Sequence, residues 1–242
     1  VSMIQYSHME DAFSFYVLIT VILGLVWAII FSLNPKLRKE QLILGVLSAF
    51  LLPLIFIIRL FDPTTLSLDF SELSSIDIGF AFFLSGIAGT IFHATFGRHY
   101  HHLPFQTKHP SNASNTKITQ TWLVRFLLLS LLFWWTMVFL TVGLEVPTPY
   151  AITFNTLIFM IYFFSYQHDL LVDSLWSGFL TTFIVLLAGI IATATIGSEL
   201  SLSMVQSRDS AFGVPFDMLL WAIACGVALG PIYEFIRKIK IK

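Results

Sequence analysis

The sequence predicts an all-α fold, a polytopic membrane protein with seven transmembrane helices. Hydrophobic residues make up 57% of the 242 residues and charged residues only 11%, whereas a soluble globular domain has about 25% charged residues. Mean hydropathy is +0.84. A helical span needs about 20 residues, so seven spans use almost the whole chain. We therefore expect a single transmembrane domain over residues 1–242 and no separate soluble domain.

Apolar stretches predict the individual helices. They cover residues 12–33, 41–61, 76–96, 121–144, 150–167, 174–197 and 212–236. The fifth is the shortest. The only cysteine, Cys225, lies inside the last apolar stretch, which excludes an internal disulfide and a metal site built from cysteines.

The basic residues of the loops predict the orientation. Ten of the 13 Lys and Arg residues fall in the first loop, the third loop and the C-terminal tail. With seven spans these three segments lie on one side, and the positive-inside rule makes that side cytoplasmic. We therefore expect an outside N-terminus, a cytoplasmic C-terminus and a multi-pass location in a membrane. The ten residues are Lys36, Arg38, Lys39, Arg98, Lys108, Lys117, Arg237, Lys238, Lys240 and Lys242.

The third and seventh helices share a pattern that predicts a parallel internal repeat. Asp77 opens the third and Gly86 follows nine positions later, as Gly226 follows Asp217 in the seventh. Helices one to three, about 12–96, would match helices five to seven, about 150–236, with 121–144 as a connector. The alternative interpretation is that apolar helices simply look alike.

Acidic and basic groups near the predicted outer ends are the first candidates for chemistry. These are Asp77, Asp217, Arg59 and Glu145. Apolar surroundings favour the protonated form of a carboxyl, which can then act as a general acid, whereas a neighbouring Arg keeps it ionised. In the alternative interpretation these acids are solvated and stabilise helix N-termini.

A second polar layer is predicted near the inner ends, with His93, Tyr233 and Glu234. Asp217 and Glu234 are 17 positions apart, about 25 Å along a helix at 1.5 Å per residue, so the two layers are separate sites. The loop after His93 adds further histidines, namely His99, His101 and His102. Imidazoles bind iron and similar metals, but a loop facing lipid head groups is the favoured interpretation.

Two further observations concern the ligand. Aromatic residues make up 16% of the chain; they either line a cleft for a polyene, where ring faces stabilise a cation, or serve ordinary packing. All seven lysines lie in predicted loops or the tail, which excludes a retinal Schiff base to a helix lysine. No nucleic-acid motif is present.

The chain resembles bacterial membrane proteins with a lycopene cyclase domain, a small cofactor-free type also seen as heterodimers and in fungal fusion proteins. The resemblance extends over nearly the whole chain. It is carried by Leu37–Glu40, Pro53, Asp62–Leu66, the Asp77 segment and the stretch Gly213–Glu234. The family has a Pro-x-Glu-Glu motif whose acids are implicated in cyclisation. Here Pro215 matches the proline, Asp217 the first Glu, and Met218 replaces the second.

The resemblance implies a cycloisomerase that needs neither a cofactor nor a metal. An acid protonates the terminal double bond of an acyclic polyene, the cation closes a ring, and a base removes a proton. Asp217 would be the acid, Asp77 its partner, and Glu145 or Arg59 would tune it. The expected partners are membrane lipid and a hydrophobic polyene or isoprenoid, and the resemblance implies that the chain is a multi-pass protein of the bacterial cytoplasmic membrane. The alternatives are a non-catalytic isoprenoid- or lipid-binding protein with the same fold, and a metalloenzyme built on the histidine loop.

Overall fold

The protein is mostly helical, in agreement with the all-α prediction. The computed structural model describes residues 3–59, 75–96, 100–101, 115–166, 169–196, 210–232 and 240–241. The helices in these ranges are α1 Met3–Leu33, α2 Arg38–Arg59, α3 Ser75–Phe96, α4 Asn115–Val138, α5 Thr148–Tyr166, α6 Asp169–Ile196 and α7 Phe216–Leu229. A π-helical turn, Phe139–Gly143, continues α4. Two short antiparallel pairs complete the fold: β1 Tyr100–His101 with β4 Lys240–Ile241, and β2 Ser210–Ala211 with β3 Val214–Pro215.

Three helical stretches are long and apolar enough to cross a membrane. They are Ser14–Leu33 in α1, Ser75–Phe96, which is α3, and Leu170–Ile196 in α6. The stretches Leu127–Gly143, Tyr150–Tyr162 and Met218–Leu229 are apolar but shorter. The length and composition of these three helices therefore indicate a membrane protein. That all seven helices span the membrane stays a prediction.

The largest differences from the predicted helix boundaries lie at N-terminal ends. Helix α1 begins at Met3 and α6 at Asp169, earlier than expected. Helix α1 extends through polar residues that hydropathy leaves out, and α6 extends past two acids, Asp169 and Asp173, that flank three apolar residues. Helix α7 begins later, at Phe216. Before it, Phe212 and Gly213 have φ values of 54° and 82°, which suit the two-residue turn of a tight hairpin rather than a helix. The predicted C-terminal part of this helix, residues 233–236, lies outside the described residues.

Close contacts at glycines show how α2 packs against α3. A Cβ on Gly45 would lie 3.0 Å from the Phe82 carbonyl oxygen, and one on Gly86 would lie 3.1 Å from the Gln41 carbonyl oxygen. Since Gln41 precedes Gly45 and Gly86 follows Phe82, the two helices are antiparallel. Gly79 of α3 faces Thr20 of α1, and Gly86, seven residues later, faces Trp27, which is seven residues after Thr20. Helix α1 therefore runs parallel to α3.

Helix α7 runs parallel to α3 and packs against it. Gly178 and Gly189 of α6 contact Val227 and Val214 respectively, so α6 and the α7 region are antiparallel. A Cβ on Gly89 of α3 would lie 3.6 Å from the Leu229 carbonyl oxygen. In the main core, Leu84 and Ile87 of α3 cluster with Leu219 and Ala222 of α7, together with residues of α1 and α6.

These directions define two ends of the bundle. At the Asp77 end, α3 and α7 begin while α2 and α6 finish. At the His93 end, α1 and α3 finish while α2 and α6 begin. The main core, with Ile19, Leu23 and Val185 fully buried, lies between these two ends.

Asn155 connects α5 to α4, and its loss is expected to destabilise the protein. Its side-chain amide donates to the Phe133 carbonyl at 2.9 Å, and Thr136 donates to its oxygen at 2.6 Å. Asn155→Leu leaves both groups without these partners, so we expect a loss of about 0.5–2 kcal/mol, measured by thermal unfolding in detergent. Thr195→Ala is the control, because exposed Thr195 bonds within its own helix, to the Ile191 carbonyl oxygen; equal losses in the two variants would contradict the role of Asn155.

Candidate functional site

A group of buried polar side chains lies at the His93 end of the bundle. We call it the His93 cluster; its members are Glu40, Gln41, Thr90, His93, Asp173, Ser174 and Ser177, all buried. They come from α2, α3 and α6 and are surrounded by apolar helices. Ionisable residues within spans are costly and usually functional, so this cluster is the candidate site.

His93 and Asp173 form the centre of the cluster. His93 Nε2 lies 3.7 Å from Asp173 Oδ2, and each side chain is only 1% exposed. This separation is within ion-pair range but longer than a direct hydrogen bond. Ser177, one helical turn after Asp173, donates from Oγ to Asp173 Oδ1 at 3.2 Å. Since Ser177 bonds to the carboxylate and not to the imidazole, the three residues are an oriented acid–base pair rather than a nucleophile triad.

The contact between α6 and α7 positions Ser177 and Asp173. Ser174 donates from Oγ to the Val227 carbonyl oxygen at 2.8 Å. The backbones approach closely where Gly226 meets Gly178, with a Gly226 Cβ position only 2.5 Å from Gly178 Cα. Small residues on both helices therefore hold the N-terminal turns of α6 firmly against α7.

Gln41 attaches α2 to α1, whereas Thr90 bonds within its own helix, α3. Gln41 donates from Nε2 to the Trp27 carbonyl oxygen at 2.9 Å, and Thr90 donates to the Gly86 carbonyl oxygen at 2.7 Å. Among the described residues, neither Trp27 Nε1 nor Gln41 Oε1 has a hydrogen-bond partner. The preceding residue, Glu40, is 2% exposed and adds a second carboxyl to the cluster.

The cluster is equipped for proton transfer. An imidazole facing a carboxylate can accept and return a proton, while the carboxylate supplies the compensating charge. For metal binding the arrangement is less suited, because no three His, Cys, Asp or Glu side chains gather into a ligand set within the part of the chain that the structure describes.

The four acid–base candidates of the outer layer are placed as follows. Asp77 lies half-buried in the first turn of α3. Asp217 is the second residue of α7, and its side chain lies outside what is described. Since α3 and α7 are parallel, these two residues are at the same end. Arg59 is the last residue of α2, and its side chain is likewise not described. Glu145 is exposed between the π-helical turn and α5, with a φ of 53°.

Of the predicted inner layer, the structure describes His93. It is buried and belongs to the His93 cluster, whereas Tyr233 and Glu234 lie outside the described residues, as do His99 and His102. His101 pairs with Lys240 through the backbone of β1 and β4.

Sequence reasoning missed Asp173 and Ser177 as site residues. It began helix six at residue 174, which left Asp173 in a loop. The available signal was the four-residue spacing of Asp173, Ser177 and Thr181, all buried on α6, since residues four apart lie on one helix face. A polar stripe at this spacing within an apolar helix indicates a buried polar contact.

Comparisons with known proteins do not extend this description. No protein-family model, no curated protein and no solved structure matches the chain.

Proposed function

We propose that this chain is a membrane-embedded cycloisomerase of the lycopene cyclase type, acting on an acyclic polyene or a related hydrophobic isoprenoid. The observation that carries the proposal is the parallel course of α3 and α7, which begin at the same end with Asp77 and Asp217 in their first turns. Two acids at one depth of a membrane bundle are what protonation and deprotonation of an apolar substrate require.

The packing of the two halves supports a parallel repeat. Helix α2 lies antiparallel on α3 with a close backbone approach at Gly86, and α6 lies antiparallel on α7 with a close approach at Gly226. Helix α1 packs on α3, and α5 packs on α7. Each glycine follows its Asp by nine positions, so the same contact recurs at the same distance from the acid.

The distribution of basic residues supports the orientation. The first loop, with Lys36, joins the finish of α1 to the start of α2 at the His93 end. By the positive-inside rule this end is cytoplasmic, and the Asp77 end is extracytoplasmic. With α2, α4, α5 and α7 as further spans, all seven helices cross the membrane.

The proposed reaction leaves the oxidation state unchanged. Protonated Asp217 gives its proton to the terminal double bond of the polyene, the next double bond closes the ring on the resulting cation, and a carboxylate removes a proton to form the new double bond. Aromatic ring faces would stabilise the cation; the candidates on α1 and α3 are Trp27, Phe82 and Phe83, whose ring centroids are 5.4–6.0 Å apart.

A second candidate function is non-catalytic binding of an isoprenoid or lipid. It is favoured by Met218, which stands where the cyclase motif has its second acid. Met218 is 7% exposed and packs within the main apolar core. An acid at this position would be buried among apolar side chains, so the chain has a packing residue where relatives of this type have a catalytic one.

Expression in lycopene-accumulating cells with pigment analysis tests the proposal. We expect cyclic products with the wild-type chain and a loss of about 100-fold or more with Asp217→Asn, because general acid catalysis contributes about 10²–10⁴-fold. Asp169→Asn is the matched control, since Asp169 opens α6 at the opposite end, and it should match the wild type. Unchanged lycopene that copurifies with the wild-type protein would contradict the cyclase proposal and support binding.

A further inference from the structure

We propose that His93, Asp173 and Ser177 form a proton-exchange site at the His93 end of the bundle. In this site His93 takes up and releases a proton, Asp173 provides the counter-charge, and Ser177 orients the Asp173 carboxylate. The site lies at the opposite end from Asp77 and is independent of the proposed cyclisation.

The burial of both groups is the first argument. Each side chain of the pair is 1% exposed, and both helices, α3 and α6, are apolar enough to span a membrane. Removing an ion from water costs several kcal/mol even inside a relaxed protein. Packing alone would be served as well by apolar side chains of similar size, so a buried imidazole facing a buried carboxylate points to proton chemistry.

The geometry of the pair is the second argument. At 3.7 Å the imidazole lies within ion-pair range of the carboxylate, which can therefore compensate the charge of the extra proton. The Ser177 hydroxyl occupies Oδ1 of Asp173, which leaves Oδ2 as the oxygen directed to His93. Ser177 itself is confined by α7, since a Cβ on Gly230 would lie 2.6 Å from Ser177 Oγ. The carboxylate is thus oriented before the proton arrives.

A short distance to the bundle end is the third argument. His93 lies three residues before the last residue of α3, Phe96, and Asp173 lies four residues after the first residue of α6. This corresponds to about one helical turn, or roughly 5 Å. Thr95 and Phe96 are exposed. In the proposed site the proton therefore enters and leaves at this end of the bundle, about one helical turn from the imidazole.

Other titratable groups near the pair are few among the described side chains. Helix α2 brings buried Glu40, while Arg38 bonds to the Phe31 and Ser32 carbonyls of α1. From Ser14 to Leu33, α1 has no Asp, Glu, Lys, Arg or His. Helix α7 contributes Cys225 and, on the pair's side, backbone groups around Val227 and Gly230. Asp173 is therefore the anionic group placed directly opposite His93, and uptake of the proton joins α3 to α6 by an ion pair.

The test is NMR of the full chain in lipid nanodiscs with isotope-labelled histidine. His93→Gln assigns the His93 signal among the seven histidines. In the wild type we expect this signal to change between its neutral and protonated forms across pH 5–8. In Asp173→Asn the protonated fraction at a given pH should be smaller, with the titration midpoint displaced by about one pH unit or more, because the counter-charge is gone.

Thr182→Ala is the matched control. It removes a part-buried hydrogen bond to the Gly178 carbonyl oxygen within the same helix, α6, at a residue outside the His93 cluster, and the His93 titration should stay as in the wild type. A His93 signal fixed in one form across pH 5–8, or an unchanged midpoint in Asp173→Asn, overturns the proposal. If Asp173→Asn does not fold, Ser177→Ala takes its place: a displaced midpoint supports the site, and an unchanged one overturns it.

Discussion

Gly226→Ala is expected to separate α6 from α7 and to leave little folded protein. A Cβ at this position would lie 2.5 Å from Gly178 Cα, 2.6 Å from the Ser177 carbonyl oxygen and 2.8 Å from the Gly178 nitrogen. All three are backbone atoms, which cannot rotate away as a side chain can. Overpacking of a core costs about 1–3 kcal/mol and sometimes more; we expect at least about 3 kcal/mol here, a large part of an ordinary stability of about 5–15 kcal/mol.

The measurement is the melting temperature and the monodisperse yield in detergent, compared with Gly79→Ala. Gly79 lies in the equally apolar helix α3, but its nearest neighbour, Thr20 Cγ2, is 3.5 Å from the Cβ position, which is ordinary contact. Alanine also favours helix over glycine by about 1 kcal/mol, so Gly79→Ala should melt at the wild-type temperature or slightly above it. Similar melting of the two variants would show that α6 and α7 do not cross at Gly226.

Asp173→Leu is expected to have the second largest effect, a loss of about 3–5 kcal/mol. The substitution leaves the buried His93 imidazole without the carboxylate 3.7 Å away and removes the acceptor of the Ser177 hydroxyl. Breaking one half of a buried ionic pair carries this penalty because the remaining polar group is neither solvated nor compensated. Thermal or denaturant-induced unfolding in mild detergent measures it.

The double variant His93→Leu/Asp173→Leu separates this cause from simple misfit. Replacing both partners of a buried pair by apolar residues is often neutral or stabilising, so the double variant should be more stable than Asp173→Leu alone. Losses that simply add would show that His93 and Asp173 do not act on each other in the folded protein.

The sequence predicted the helices well and the site only in part. Continuous apolar stretches predicted all seven helices, but the start of α1 lies nine residues before the predicted one and the start of α4 six, since hydropathy reports the part of a helix that leaves water. It failed where acidic residues lie within a helix, as at Asp169 and Asp173 of α6, and where backbone conformation overrides hydropathy, as at Phe212 and Gly213. The first failure concealed Asp173, because an acid assigned to a loop needs no buried partner.

By itself, the sequence determined that this protein is a set of apolar helices, because a chain so poor in charge must satisfy its backbone hydrogen bonds within helices once it leaves water. It also determined that Asp77 and Asp217 each open one of two similar helices. Only the tertiary structure decided that His93 meets Asp173. That contact depends on how closely α3, α6 and α7 approach at Gly89, Gly178 and Gly226. The approach depends on how the surfaces of two helices fit together, and the hydropathy of a single helix carries no information about that fit.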